Sequence, residues 1–92
     1  MTTGTTASGT FYLFNKKEQS SPIVFIHGVG LTHEIWQPQL DFFRDHSTLS
    51  YDILGHGKSK LEKKQIDFND FSDQLINLVD ELKIDKIHLV GF

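Results

Sequence analysis

The chain has 92 residues, which is room for one small domain. Hydrophobic residues make up 38% and charged residues 23%, ordinary for a globular protein, and the net charge of −3 gives no electrostatic ground for binding nucleic acid or an anionic membrane. Cysteine is absent, which excludes a disulfide framework, a thiol nucleophile and a Cys-based metal site.

No apolar run approaches the ~20 residues of a membrane span. Met1 to Ser8 is threonine-rich and lacks the basic and apolar regions of a signal peptide. The expected location is therefore cytoplasmic, with no membrane or nucleic-acid partner. Residues 1–9 carry no periodicity and are expected to be a disordered, frayed terminus, with the ordered domain over 10–92.

Phe11 to Phe14 reads as an early strand, and the polar run Asn15 to Pro22 as a turn. Ile23-Val24-Phe25-Ile26-His27 reads as a strand apolar on both faces, running into the glycine-rich turn Gly28-Val29-Gly30. Trp36, Leu40 and Phe43 share one helical face, and Pro38 is tolerated only in a first turn, so a helix should begin at about Ile35 or Gln37. Thr48 to Asp52 is a weaker strand that breaks at Gly55-His56-Gly57. Lys58 to Phe68 reads as a charged surface loop.

From Asp70 to Ile84, the residues Phe71, Leu75, Leu78, Val79 and Leu82 form one apolar stripe, with Asn69 or Asp70 as the cap and Asp73 in the first turn. Lys86 to Val90 is a second buried-type strand, followed by Gly91-Phe92. Strand, helix, strand, helix, strand is the order of a mostly parallel sheet with helices on both faces, an α/β fold.

Three glycine-bearing turns follow the strands: His27 to Gly30, Asp52 to Ser59, and Val90-Gly91-Phe92. Gly57-Lys58-Ser59 superficially suggests a phosphate-binding loop. The first glycine of that motif would fall on Asp52, whose carboxylate repels phosphate, and no clean helix follows. Gly28 and Gly30 fail the dinucleotide fingerprint, because His33 stands where the third glycine belongs.

Taken together, the turns resemble the amino-terminal third of the α/β-hydrolase fold family. His27-Gly28-Val29-Gly30 matches its His-Gly-x-Gly, and Trp36 its following tryptophan. Asp52, Gly55, Gly57 and Ser59 match Asp-x-x-Gly-x-Gly-x-Ser, and Gly91-Phe92 opens its Gly-x-Ser-x-Gly nucleophile elbow. The match spans about residues 10–92 and implies a partial, incomplete three-layer sandwich.

The resemblance assigns the backbone N–H of Val29 to the oxyanion hole, a donor that a glycine-flanked turn can aim without a side chain in the way. His27, Gly28, Gly30 and Trp36 would shape the site. His27 and His56 are expected to hydrogen-bond turn backbone, and Asp52 to anchor its own turn. His33, His46 and His88 show no partner pattern, and no metal or cofactor is expected.

The implied activity is hydrolysis of a small ester or lactone by a serine nucleophile with a histidine and an acid, none of which lies in these residues. An Asp or Cys nucleophile, as in some branches of the family, would shift the chemistry towards dehalogenation. The chain alone is expected to be inactive, with strand 86–90 as an aggregation-prone edge. The alternatives are a non-catalytic hydrolase-fold binding protein and a nucleotide-binding module.

Overall fold

The computed structural model describes residues 1–17, 20–61 and 65–92. Part of the expected polar turn (Glu18, Gln19) and of the charged loop (Glu62 to Lys64) lies outside them.

Five strands form one sheet: β1 (Thr2–Thr5), β2 (Phe11–Asn15), β3 (Ile23–Ile26), β4 (Thr48–Tyr51) and β5 (His88–Gly91), in the order β1-β2-β4-β3-β5. β3 lies parallel to both β4 and β5, so the expected parallel sheet is present at this end. β2 runs antiparallel to β4, and β1 antiparallel to β2, so the sheet is mixed. Chain length explains the difference. A parallel crossover needs a dozen residues or more, whereas only a short turn joins β1 to β2. That turn closes with Thr6 N–H on Thr10 O (2.9 Å) and Gly9 N–H on Thr6 O (3.0 Å). The expectation of a frayed terminus over residues 1–9 is thereby corrected. Thr2–Thr5 pairs residue for residue with Phe11–Phe14, so its backbone groups find partners without any apolar periodicity.

Successive strand residues face opposite sides of the sheet, and β3 supplies both cores. Val24 joins Leu49, Tyr51, Ile53 and Leu78 on one side, where Phe71, Leu75, Leu78 and Val79 of α2 (Phe68–Glu81) and Leu82 at its end pack. Phe25 joins Trp36 and Leu40 on the other. There a 3-10 turn (His33–Trp36) leads into α1 (Gln37–Phe42), with Pro38 in its first turn. Helices therefore cover both faces. Each fully buried side chain of the size of Val24, Leu49 or Leu78 contributes about 1.5–3 kcal/mol.

Two boundaries differ from the expected ones. α2 starts at Phe68, and its cap is Asp67 rather than Asn69 or Asp70. Asp67 Oδ1 accepts the Asp70 N–H (3.1 Å), and Asp70 Oδ2 accepts the Asp67 N–H (2.9 Å), a reciprocal capping box. β5 runs from His88 to Gly91 rather than from Lys86 to Val90; as expected it is an edge, exposed along its length with Leu89 at 54%, because among the described residues β3 is its only strand neighbour.

Candidate functional site

Parallel strands bring their carboxyl ends to one edge, which is where α/β sheets bind ligands. Here the turn after β3 (27–30), the turn after β4 (52–59) and Phe92 after β5 meet at that edge. Phe92 N–H donates to Ile26 O (3.1 Å), and the Phe92 ring stands beside Gly28.

In the first turn, Leu31 N–H donates to Gly28 O (3.1 Å), and Gly30 has φ +88°. A four-residue turn with a left-handed third residue is type II, with Val29 and Gly30 at its centre. Gly28 O also accepts from His27 Nδ1 (2.8 Å). The Gly28–Val29 peptide is trans, so its N–H points opposite to that doubly held carbonyl. Among the described residues, nothing accepts the Val29 N–H, while the Val29 side chain is 80% exposed. The result is a free donor of fixed direction.

His27 is buried, and both ring nitrogens are engaged. Ile53 N–H donates to Nε2 (3.1 Å), which places the ring hydrogen on Nδ1, facing Gly28 O. With Nε2 used as an acceptor, the 3.7 Å approach of Asp52 Oδ1 is proximity rather than an ion pair. His56 repeats the pattern across the two turns: Nδ1 donates to Leu54 O (2.8 Å) and Nε2 accepts the Gly30 N–H (3.0 Å).

Asp52 is the hub of the second turn and is wholly buried. Its Oδ1 accepts the backbone N–H (2.7 Å) and Nδ1–H (2.9 Å) of His33, and its Oδ2 accepts the Lys58 N–H (2.9 Å). Burial pushes its pKa up, but the Lys58 and His33 N–H groups and the His33 ring outweigh burial and hold the carboxyl below its ordinary value. Ser59 Oγ donates to Asp52 O (2.6 Å) and accepts the Phe11 N–H (3.0 Å). Lys58 Nζ lies 4.8 Å from the centre of the Phe11 ring. The serine and lysine that suggest a phosphate loop are thus occupied in holding the turn.

Gln74 of α2 braces the same turn. Its Oε1 accepts the Leu54 N–H (3.0 Å), and its Nε2 donates to Asp52 O (3.0 Å) and Thr10 Oγ1 (3.1 Å). Neither Gln74 nor the pairing of His33 with Asp52 is expected from the local sequence. Trp36, expected to shape the site, packs in the core on Phe25, with ring centres 5.0 Å apart. An edge-on contact with Phe92, ring centres 6.4 Å apart, links it to this edge.

An open, mainly apolar groove of about 390 Å³ borders the turn, lined by Val29, Phe68, Phe71, Leu75, Leu89 and Phe92 among others. A groove of similar volume lies near the opposite ends of the strands, walled partly by Lys16, Lys17, Lys83 and Lys86, and shares no residue with the turn. Among the described residues, no group of three or more His, Asp or Glu side chains is placed to hold a metal ion.

Comparison with known proteins agrees with this geometry. A family profile of the alpha/beta hydrolase fold matches residues 21–92. The chain is 35% identical over 83 residues to (E)-2-((N-methylformamido)methylene)succinate hydrolase of Acinetobacter baylyi, covering 89% of this chain and 31% of that protein. It is 30% identical over 78 residues to 3-oxoadipate enol-lactonase 1 of the same organism, covering 84% of this chain and 29% of that protein. The crystal structure of the enol-lactonase from Burkholderia xenovorans LB400 superposes with a TM-score of 0.84 at 26% identity, over 90% of this chain and 33% of that one. The chain thus spans about a third of the length of these relatives. With the His27 turn, the Asp52 turn and the sheet order all in agreement, the chain belongs to the alpha/beta hydrolase fold family.

Proposed function

We propose that this chain forms the oxyanion-stabilising part of a serine hydrolase acting on a small ester or lactone. The carrying observation is the Val29 N–H: unpartnered, fixed by a clamped peptide, and next to the carboxyl end of β5.

In this reading, a serine on the segment following Phe92 attacks the substrate carbonyl carbon. Its hydroxyl proton passes to a histidine, an acid orients that histidine, and the carbonyl oxygen becomes an oxyanion. Val29 N–H donates to that oxygen. A second donor would be the N–H after the nucleophile. Collapse of the intermediate breaks the ester bond, and the histidine returns the proton to the leaving oxygen. Water then attacks the acyl-enzyme by the same route and frees the acid product. None of these steps needs a cofactor.

The names of the relatives support the substrate class, since two are enol-lactonases and another is a hydrolase. The proposed partner is a small molecule, with neither a membrane nor a nucleic acid required, and the proposed location is the cytoplasm. Among the described residues, no helix is long and apolar enough to cross a membrane. The 92 residues alone are proposed to be inactive.

The test is to read the codons after Phe92 and to assay the full-length protein on p-nitrophenyl acetate and an enol-lactone. Serine as the next residue, with turnover abolished by its change to alanine, is the expected result. Aspartate or cysteine there moves the reading to another chemistry. A residue with no nucleophilic group moves it to a binding protein.

A further inference from the structure

We propose that His56 is a positioning residue for the oxyanion turn: by accepting the Gly30 N–H, it holds the turn in its type II form and restrains the peptide next to the one that carries the Val29 donor. The inference rests on the hydrolase reading above and extends it to a residue on a different strand's turn.

The turn cannot select its own type. Its closing bond, Leu31 N–H to Gly28 O, is common to type I and type II turns. The two types differ by a half-rotation of the central Val29–Gly30 peptide. Glycine at position 30 makes both accessible, since it takes φ of either sign at little cost. An ideal Cβ at Gly30 would meet nothing within 4 Å, so packing does not select one type either. The choice falls to whatever meets the central N–H. That partner is His56 Nε2, at 3.0 Å. In the flipped turn, the Val29 carbonyl would face this lone pair instead, acceptor against acceptor.

The ring is itself held. Its Nδ1 donates to Leu54 O, which leaves Nε2 bare to accept. Gln74 Oε1 in turn accepts the Leu54 N–H. The line therefore runs from helix α2 through Leu54 and His56 to Gly30. His27 acts on the preceding peptide, through Gly28 O, so the two histidines grip consecutive peptides of one turn. Their rings lie 5.5 Å apart, tilted by 54°.

The experiment uses the full-length protein and the variants His56→Phe, His56→Gln and His56→Asn. Two quantities are read: hydrogen exchange at the Gly30 amide by NMR, and kcat and KM on the substrate that the parent protein turns over. Phenylalanine keeps a ring but offers no acceptor, so Gly30 exchange should accelerate and kcat should fall, each about tenfold or more, with KM held within about threefold. Glutamine can place an oxygen near the Nε2 position and should restore both quantities to within about threefold of the parent. Asparagine reaches only the Nδ1 position and should behave like phenylalanine.

Unchanged Gly30 exchange in folded His56→Phe and His56→Asn overturns the proposal. So does faster exchange with kcat intact. A parent protein that turns over no ester or lactone sinks the hydrolase reading instead, and Gly30 exchange in the variants then still reports whether His56 holds the turn.

Discussion

His33 meets one oxygen of Asp52 twice, through its backbone N–H at 2.7 Å and its ring Nδ1 at 2.9 Å. The other carboxylate oxygen takes the Lys58 N–H. One buried side chain therefore ties the start of the 3-10 turn to the loop after β4, and both border the turn after β3. Each of these bonds strengthens when the acceptor is charged, which is why the buried carboxyl remains below its ordinary pKa of 3.8.

This fixes the sign of a pH effect. A carboxyl whose pKa is lower in the folded state contributes stability that is present above its unfolded value, near 3.8, and is lost as pH falls through the folded value. Asp52→Asn should therefore destabilise the protein at neutral pH, by about 1.5–3 kcal/mol for each charged hydrogen bond that is not remade. The gap between parent and variant should narrow below about pH 4. Thermal melts of both proteins from pH 7 to pH 3 measure it, and a gap constant across that range would refute the account.

Gly57 belongs to the same arrangement. It has φ +50°, and a Cβ there would run into the Asp52 carboxylate. Gly57→Ala must displace the hub and should cost well over the roughly 1–2 kcal/mol charged for a left-handed residue alone. Gly30→Ala, with φ +88° and open space around it, should cost only that smaller amount. Urea denaturation of the two variants compares them directly, and equal losses would contradict the close-approach argument.

The pattern of the sequence made much of this fold and part of this site legible. Ile23 to Ile26 is apolar on both faces because both faces are covered, and the stripe Phe71 to Leu82 has the 3.6-residue period of a helix on a sheet. What escaped was long-range or polar. His33 and Asp52 stand 19 residues apart, and nothing in the local sequence of either marks the other. Gln74 reads as a polar position on a helix, and only the packing of α2 brings its amide to Leu54 and Asp52. Asp67 is hard to read as the cap because aspartate rather than Glu or Gln stands at Asp70, which disguises the capping box. Thr2–Thr5 has no apolar alternation; its one legible signal was the β-propensity of threonine.

Lys83 offers a stability test remote from the site. α2 ends in a Schellman arrangement, with Ile84 N–H on Val79 O (2.9 Å) and Lys83 N–H on Asp80 O (3.0 Å). The left-handed position of that motif favours glycine, yet Lys83 occupies it at φ +58°. Lys83→Gly should stabilise the protein by up to about 1 kcal/mol, relieved backbone strain being partly offset by glycine's greater freedom when unfolded. Lys83→Val should destabilise it, because a β-branched side chain tolerates this region least. Melting midpoints give the order Gly, Lys, Val, and any other order defeats the assignment.

The final prediction separates the Val29 side chain from its N–H. Val29 is the second residue of a type II turn, a position where proline is common because the turn already demands its φ. Val29→Pro therefore removes the hydrogen at issue while suiting the backbone, and the melting midpoint should hold or rise slightly. Val29→Ala keeps the N–H and trims only a side chain that is 80% exposed. In the full-length protein, the alanine variant should keep kcat within about threefold, whereas the proline variant should lose about 10²- to 10³-fold, the loss measured when an oxyanion donor is removed. Turnover on the p-nitrophenyl ester, with a melt on each variant, decides it. If the proline variant keeps its rate, the oxyanion is stabilised elsewhere, and the free donor at the end of β3 has another purpose. If both variants lose their rate, the side chain rather than the N–H is what the substrate meets.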